Sequence, residues 1–310
     1  MAPSPSLLPS AALAAALFVV ALLAPHAARD MRIAGDDDGA YKVSDAERRH
    51  FLQHGYVVLR GVVRDAELPP LEAMFDRFTS RDSPSQGRDF CDMSGPFDRR
   101  YEDFKLVNAM LPRVYDAAAV AGNVFERRAA SIARQLYGDD MQLDYDQLLG
   151  KRPQQAGAKF ELHQDMSYWP RRSPDTRTAT VSLAINDAPV RRGCLVVVPG
   201  SHRPPRLRKH TSIAAEVLNS TAAADRDAHA QRIEAYSSDY LLHLPLRRGD
   251  ATVHNEWVVH GSGGNLDTEM RKTYVVAFRS AATVAYERKH NFTHSHNDEV
   301  NWERFDELGI

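Results

Sequence analysis

The chain has 310 residues, of which 43% are hydrophobic and 26% are charged, and its formal net charge at pH 7 is -2. This composition is typical of a globular protein with enough apolar material for a sizeable core, and it excludes a disordered chain. The near balance of acidic and basic residues leaves no overall field that would gather nucleic acid or an anionic membrane. Cys91 and Cys194 are the only cysteines, which excludes a disulfide framework and a cysteine-based zinc site and leaves a single bridge open.

The N-terminal region differs in kind from the rest of the chain, because residues 11–24 form an uninterrupted apolar run. This length suits the core of a signal peptide better than a helix that spans a bilayer. Residues 1–30 are therefore predicted to be a signal peptide or a membrane anchor, followed by a linker over residues 31–42, and membrane attachment is expected only through this segment. The sequons at Asn219 and Asn291 favour the secretory pathway. An organelle-targeting leader is the alternative, since no basic stretch precedes the apolar run.

Helices are predicted to come first in the folded part of the chain. Ser44 and Glu47 have the spacing of a capping box and begin a helix that is expected to reach about His54, where Gly55 ends it. Further elements are expected before residue 140, namely a strand over residues 56–63 and helices over residues 65–78 and 114–137.

Short β-type runs separated by Gly, Pro and charged turns follow from about residue 142 to residue 282. Helices first and many short strands later predict a mainly β (α+β) fold, namely a double-stranded β-helix (a cupin-like jelly roll) braced by N-terminal helices. The domain is predicted to cover residues 43–283, with a C-terminal tail over 284–310 and an insertion between strands over 203–240. The basic run at 203–210 is either a solvated loop or a contact for an acidic substrate at a cleft edge.

Two candidate metal ligands, His163 and Asp165, lie two residues apart in a β-type segment, so an extended backbone places both side chains on one face. An imidazole and a carboxylate suit Fe(II), and a histidine from a distant strand would complete a 2-His-1-carboxylate triad with open coordination positions. His254 and His260 compete for this third place. His260 is favoured because Arg271 follows it by eleven residues, on the next predicted strand, which would place a guanidinium beside the metal.

The planar guanidinium of Arg271 can bind a carboxylate through two hydrogen bonds, which a lysine does less well. A metal next to this group indicates a co-substrate that carries a carboxylate. Two other functions stay open at this point. A zinc-dependent hydrolase could use the same histidines and aspartate without needing Arg271, and a catalytically inactive barrel could act as a binding module that does not bind one metal ion per chain.

Several motifs of the chain match those of one known family. They are the segments 51–59, 151–153, 162–170, 192–202, 249–250 and 260–262, together with Arg271. With these motifs the chain resembles the phytanoyl-CoA dioxygenase (PhyH) family over about residues 43–283.

The resemblance implies a double-stranded β-helix in which His163, Asp165 and His260 are the catalytic metal ligands and bind Fe(II). It further implies oxidation of a small-molecule or lipid substrate by O2, with release of succinate and CO2 from 2-oxoglutarate. Relatives that halogenate their substrates have Ala or Gly where Asp165 stands. Because the carboxylate is retained here, hydroxylation is the expected outcome, with desaturation and other oxidations as alternatives.

The resemblance also implies how the co-substrate is held. Arg271 is expected to form a salt bridge with 2-oxoglutarate, and Ser262 is expected to assist it. Gln147 is either a further contact for the co-substrate or substrate, or a residue whose side chain is satisfied within the core. Ascorbate is included among the expected cofactors as an auxiliary reductant.

Overall fold

The computed structural model describes residues 40–95, 99–170, 173–212, 231–233 and 236–293. The predicted leader over residues 1–30, the linker up to residue 39, the sequon at Asn219 and the tail from residue 294 onwards lie outside the described residues. Within the described ranges, no helix combines the length and the apolar character needed to cross a bilayer.

The N-terminal third is mostly helical. The α-helices of the described residues are α1 (Asp45–His54), α2 (Leu68–Phe78), α3 (Pro112–Tyr115), α4 (Ala117–Val120), α5 (Val124–Tyr137) and α6 (Ala281–Lys289). Helix α1 begins with the predicted capping box, in which Ser44 Oγ accepts the Glu47 N–H and the Glu47 carboxylate accepts the Ser44 N–H. It ends at Gly55, whose φ is +80°.

The helix predicted over residues 114–137 is divided into three separate helices. Asp116 accepts the Ala119 N–H at 3.1 Å and caps α4, and Asn123 accepts the Glu126 N–H at 3.0 Å and caps α5. Asp116 thus ends α3 and begins α4, and Asn123 begins α5, because a short polar side chain can accept from these N–H groups in place of the backbone.

The strands are all paired in the antiparallel sense. They are β1 (Tyr56–Leu59), β2 (Phe90–Asp92), β3 (Leu106–Met110), β4 (Met141–Lys151), β5 (Phe160–His163), β6 (Thr178–Ala184), β7 (Leu195–Val197), β8 (His210–Ser212), β9 (Gln231–Ile233), β10 (Leu242–Leu244), β11 (Ala251–His254), β12 (His260–Ser262) and β13 (Arg271–Ser280). The strand predicted over residues 56–63 ends early, because the N–H of Gly61 turns to the carboxylate of Asp250 at 2.9 Å.

The strands form two facing sheets and one small pair. The seven-stranded sheet has the order β1-β11-β6-β13-β4-β3-β2, the four-stranded sheet has the order β10-β7-β12-β5, and β8 pairs with β9. Helices α1, α2 and α5 cover the outer face of the large sheet, where Phe51, Phe75 and Ile132 pack in one apolar core with Leu148 and Val276. This arrangement confirms the predicted double-stranded β-helix braced by N-terminal helices. Both cysteines are free and buried, so the single bridge that the sequence left open is not formed.

The described residues beyond position 283, which the sequence assigned to a tail, pack against the barrel. Helix α6 contacts β4 and β13, and Phe292 is fully buried against Trp169. The buried residues of α6 are Thr283 and Glu287. Because the helix is anchored by polar groups and ion pairs, it has no apolar stripe from which a sequence pattern could have detected it.

A tight turn before β7 contacts the loop that follows β12. Gly193 has a φ of +73°, and a Cβ at this position would lie 2.3 Å from the carbonyl oxygen of Gly263. The carbonyl oxygen of Gly193 accepts a hydrogen bond from Arg271. Gly200 has a similar φ of +79°, but a Cβ there would have no heavy atom within 4 Å.

Replacement of Gly193 by Ala should therefore destabilise the fold more than replacement of Gly200 by Ala. Both variants carry the backbone penalty of a positive φ, about 1 kcal/mol. Only Gly193→Ala adds a steric clash, for which we expect a further loss of about 1–3 kcal/mol. The measurement is the free energy of unfolding in a denaturant titration. Equal losses for the two variants would contradict the close approach of the two backbones.

Candidate active site

The two sheets enclose a cavity of about 100 Å³ that opens to solvent. Because side chains alternate along a strand, every second residue of β4 and β13 faces this space. The residues concerned are Tyr145, Gln147, Leu149 and Lys151 on β4 and Arg271, Thr273 and Val275 on β13. The register pairs Arg271 with Lys151 and Val275 with Gln147, so the two basic side chains lie side by side on neighbouring strands.

Two histidines and one aspartate converge at the wall formed by the small sheet. His163 ends β5 and pairs with His260, which begins β12. Gln164 is extended, with φ -118° and ψ 127°, so Asp165 projects to the same side as His163. Asp165 Oδ1 lies 3.2 Å from His163 Nε2 and 3.3 Å from His260 Nε2. Two ligands at right angles, each about 2.1 Å from an ion, lie about 3 Å apart, and the cluster fits one divalent cation.

The hydrogen bonds of the two imidazoles leave the correct nitrogens for a metal. His163 Nδ1 lies 2.7 Å from the carbonyl oxygen of Glu161, and His260 Nδ1 lies 3.0 Å from that of Val258. A carbonyl oxygen only accepts, so both Nδ1 atoms carry the proton. The lone pairs of both Nε2 atoms therefore face Asp165 Oδ1, an arrangement that is repulsive unless a cation lies between them.

A third histidine, His254 on β11, faces the other carboxylate oxygen. Its Nε2 lies 3.1 Å from Asp165 Oδ2. A carboxylate accepts, so this Nε2 carries the proton, whereas His254 Nδ1 is buried without a partner among the described residues. The sequence left His254 and His260 in competition, and the structure groups His260, not His254, with His163 and Asp165. Burial alone would raise the pKa of Asp165, but the facing histidines hold that pKa well below its usual range.

Arg271 brings a buried positive charge to the cavity. Its guanidinium donates to the Gly193 carbonyl, and its Nε is buried without a partner among the described residues. Burial lowers the pKa of Arg271 to about 10, and within the described part of the chain no carboxylate forms a salt bridge with it. A buried cation with an unsatisfied N–H is costly on its own, so the group is suited to bind an anionic ligand.

Lys151 is a second buried cation of the cavity. The sequence predicted no role for it beyond its place in the motif at 151–153. Its Nζ donates to Ser262 Oγ at 2.6 Å and to the Gly263 carbonyl at 2.5 Å. Burial holds the pKa of Lys151 well below its usual range, and the nearby Arg271 lowers it further. Because Ser262 Oγ accepts from the lysine, its own O–H is free to donate to a ligand. The two-residue alternation on β4, continued from Gln147, would have identified Lys151.

Gln147 faces the cavity with no side-chain hydrogen bond to another described residue. The sequence left open whether this amide is a ligand contact or is satisfied within the core. Because the side chain is partly exposed in the cavity, its amide is available to a ligand.

Gln164 lies between His163 and Asp165 in the chain, and it binds the basic segment 203–210. Its Oε1 accepts the Arg208 N–H at 2.8 Å, its Nε2 donates to the Arg206 carbonyl at 3.0 Å, and its backbone N–H donates to His210 Nε2 at 3.0 Å. The segment is therefore attached beside the cluster by its backbone, while the side chains of Arg203, Arg206 and Lys209 are exposed. Sequence reasoning had no local signal for this contact, because the partners are more than 40 residues apart.

The fold and the site together define a double-stranded β-helix protein with a two-histidine, one-carboxylate cluster beside a buried arginine. The family model of phytanoyl-CoA dioxygenase (PhyH) matches residues 51–273. The chain belongs to this family, as the sequence motifs predicted.

Individual relatives agree with this assignment. An ectoine dioxygenase of Nocardia farcinica is 27% identical over 55% of this chain and 58% of its own length. The peroxisomal phytanoyl-CoA dioxygenase of Rattus norvegicus is 22% identical over 73% of this chain and 65% of its own. The matches thus span less than two thirds of both relatives. The crystal structure of EvdO2 from Micromonospora carbonacea var. aurantiaca superimposes with a TM-score of 0.63 and 26% identity, covering 78% of this chain and 93% of EvdO2. EvdO2 has also been solved in complex with 2-oxoglutarate.

Replacement of Gln164 by Ala should release the basic segment. The variant loses the side-chain hydrogen bonds that hold the segment, each worth about 1 kcal/mol, and we expect trypsin to cleave there at least about tenfold faster. The sites to monitor by mass spectrometry are the bonds after Arg206, Arg208 and Lys209. Gln147→Ala is the matched control, because that amide has no partner in the described structure. Equal cleavage of both variants would show that Gln164 does not attach the segment.

Proposed function

We propose that the protein is an Fe(II)- and 2-oxoglutarate-dependent dioxygenase that hydroxylates a small-molecule substrate. The observation that carries the proposal is the cluster of His163, Asp165 and His260 next to Arg271, a buried cation without a carboxylate partner among the described residues. The three clustered residues would hold Fe(II) on one face and leave the remaining positions open, as in the facial triad of non-haem iron oxygenases. Membership of the PhyH family supports the same chemistry.

The cavity supplies the groups that 2-oxoglutarate requires. The guanidinium of Arg271 would bind the carboxylate remote from the metal, and the O–H of Ser262, oriented by Lys151, would donate a further hydrogen bond. Gln147 is available as an additional contact. When bound, iron and 2-oxoglutarate together activate O2 and release succinate and CO2. The chain itself would bind and orient the co-substrate and neutralise its charge.

The class of substrate is inferred from the cavity, and the outcome of the reaction is inferred from the metal cluster. The cavity that holds the cluster is lined by a mixture of apolar and polar side chains, as is usual for sites that bind small molecules. The carboxylate of Asp165 is present in the cluster, and hydroxylation is therefore the proposed outcome. A mass-spectrometric screen for a compound that gains one oxygen atom, run with the iron-loaded protein and 2-oxoglutarate, identifies the substrate and tests the outcome.

The proposal predicts one metal site per chain, formed by the clustered residues. His163→Ala and His260→Ala should each abolish stoichiometric binding of Fe(II), or of Co(II) as an air-stable substitute, in a calorimetric titration. His50→Ala, a half-buried histidine on α1 outside the cluster, should bind one equivalent as the unchanged chain does. Undiminished binding in the two cluster variants would rule out this site, and absence of binding in the unchanged chain would favour the inactive binding module.

The proposal also predicts that Arg271 is needed for the co-substrate. Arg271→Ala removes a buried charge-assisted contact worth about 2–5 kcal/mol, which corresponds to an increase of about 30-fold or more in the KM for 2-oxoglutarate. Lys272→Ala is the matched control, because Lys272 binds Asp76 at 2.6 Å on the outside of the barrel. The measurement is succinate release. Full activity of Arg271→Ala without any dependence on 2-oxoglutarate would favour the zinc-dependent hydrolase.

A further inference from the structure

We infer that His254 is a positioning residue that keeps Asp165 bound to the metal through a single oxygen atom. The inference rests on the proposed function, because it concerns how the cluster leaves coordination positions open. It assigns a role to the imidazole that the metal cluster does not use.

The position of His254 is fixed by the large sheet. The residue ends β11 and lies between Tyr56 of β1 and Thr180 of β6 in the register of the three strands. Its neighbour Asn255 donates from its backbone to Gly55 and from its side chain to Tyr137, each at 2.8 Å. His254 is only 3% exposed. A ring held in this way by a central strand has little freedom to move towards or away from Asp165.

The two oxygens of Asp165 have different partners. Oδ1 faces the Nε2 atoms of His163 and His260, at 3.2 Å and 3.3 Å, and Oδ2 faces the Nε2–H of His254 at 3.1 Å. Oδ1 is therefore the oxygen placed for the metal, whereas Oδ2 is engaged by a charge-assisted hydrogen bond. This bond would have to break before Asp165 could chelate the ion through both oxygens.

This hydrogen bond matters because it determines how many coordination positions of the metal ion stay open. Three single-atom ligands leave three positions of an octahedral ion open, and a bidentate 2-oxo acid with O2 uses all of them. Chelation through both Asp165 oxygens would remove one position, and so would His254 as a fourth ligand. The tautomers argue against the fourth ligand, because His163 and His260 donate from Nδ1 to carbonyls and His254 donates from Nε2 to the carboxylate.

The test compares His254→Leu, which removes the donor at similar volume, with His254→Gln, which retains an N–H of similar reach. Thermal melting first shows that each variant is folded, and His254→Asn, whose amide is too short to reach Asp165, replaces the leucine variant if that one unfolds. Two titrations are then made without O2. The first is metal binding, and the second is the visible charge-transfer absorption that appears when 2-oxoglutarate joins the ferrous protein.

We expect His254→Leu to retain one metal ion per chain but to bind 2-oxoglutarate about 10–100-fold more weakly, the usual cost of losing a residue that orients a metal ligand. His254→Gln should restore most of the affinity. Unchanged titrations for His254→Leu, complete loss of its metal site, or no restoration by His254→Gln would each overturn the inference. If the unchanged protein shows no metal binding or no charge-transfer absorption, the proposed function itself fails, which is a separate result.

Discussion

The site depends on a single carboxylate. Asp165 is the only acidic residue among the described residues that line the cavity, and three imidazoles approach it from three different strands or their ends. It is buried, and burial alone would raise its pKa, yet the histidines around it hold that pKa well below the usual range. An anion in this position attracts a divalent cation. Two of the histidines face its Oδ1 atom, and the third faces its Oδ2 atom.

The charge of the cavity explains why a dianionic co-substrate fits it. Arg271 and Lys151 bring two buried basic groups to the wall opposite the small sheet, and Asp165 alone opposes them. A divalent metal ion would make the excess of positive charge larger, and a buried uncompensated charge is costly. A ligand with two carboxylates, one at the metal and one at Arg271, would reduce this excess. Burial, together with the neighbouring Arg271, holds the pKa of Lys151 well below its usual range.

The sequence predicted the features that depend on local residue spacing. It missed those that depend on contacts between residues far apart in the chain. The spacing of His163 and Asp165, and of His260 and Arg271, follows from strand geometry, so the sequence could predict that these side chains meet at one cavity. Lys151 was accessible too, through the alternation of β4. The role of Gln164 was not, because its partners are distant in the chain and approach only in the folded protein. Helix α6 was missed since its contacts with the barrel are ionic and leave no apolar periodicity.

A buried ionic cluster connects this C-terminal helix to the metal cluster. Arg279 lies 3.7 Å from the centre of the Trp169 ring and pairs with the buried carboxylate of Glu256, whose pKa is raised to about 8 by burial. Such clusters add little to stability, because desolvation offsets the attraction between the charges. The backbone carbonyl of Glu256 accepts the N–H of Met166 at 3.2 Å. Met166 follows Asp165 directly, so this hydrogen bond joins the segment that bears the ionic cluster to the turn that bears the Asp165 carboxylate.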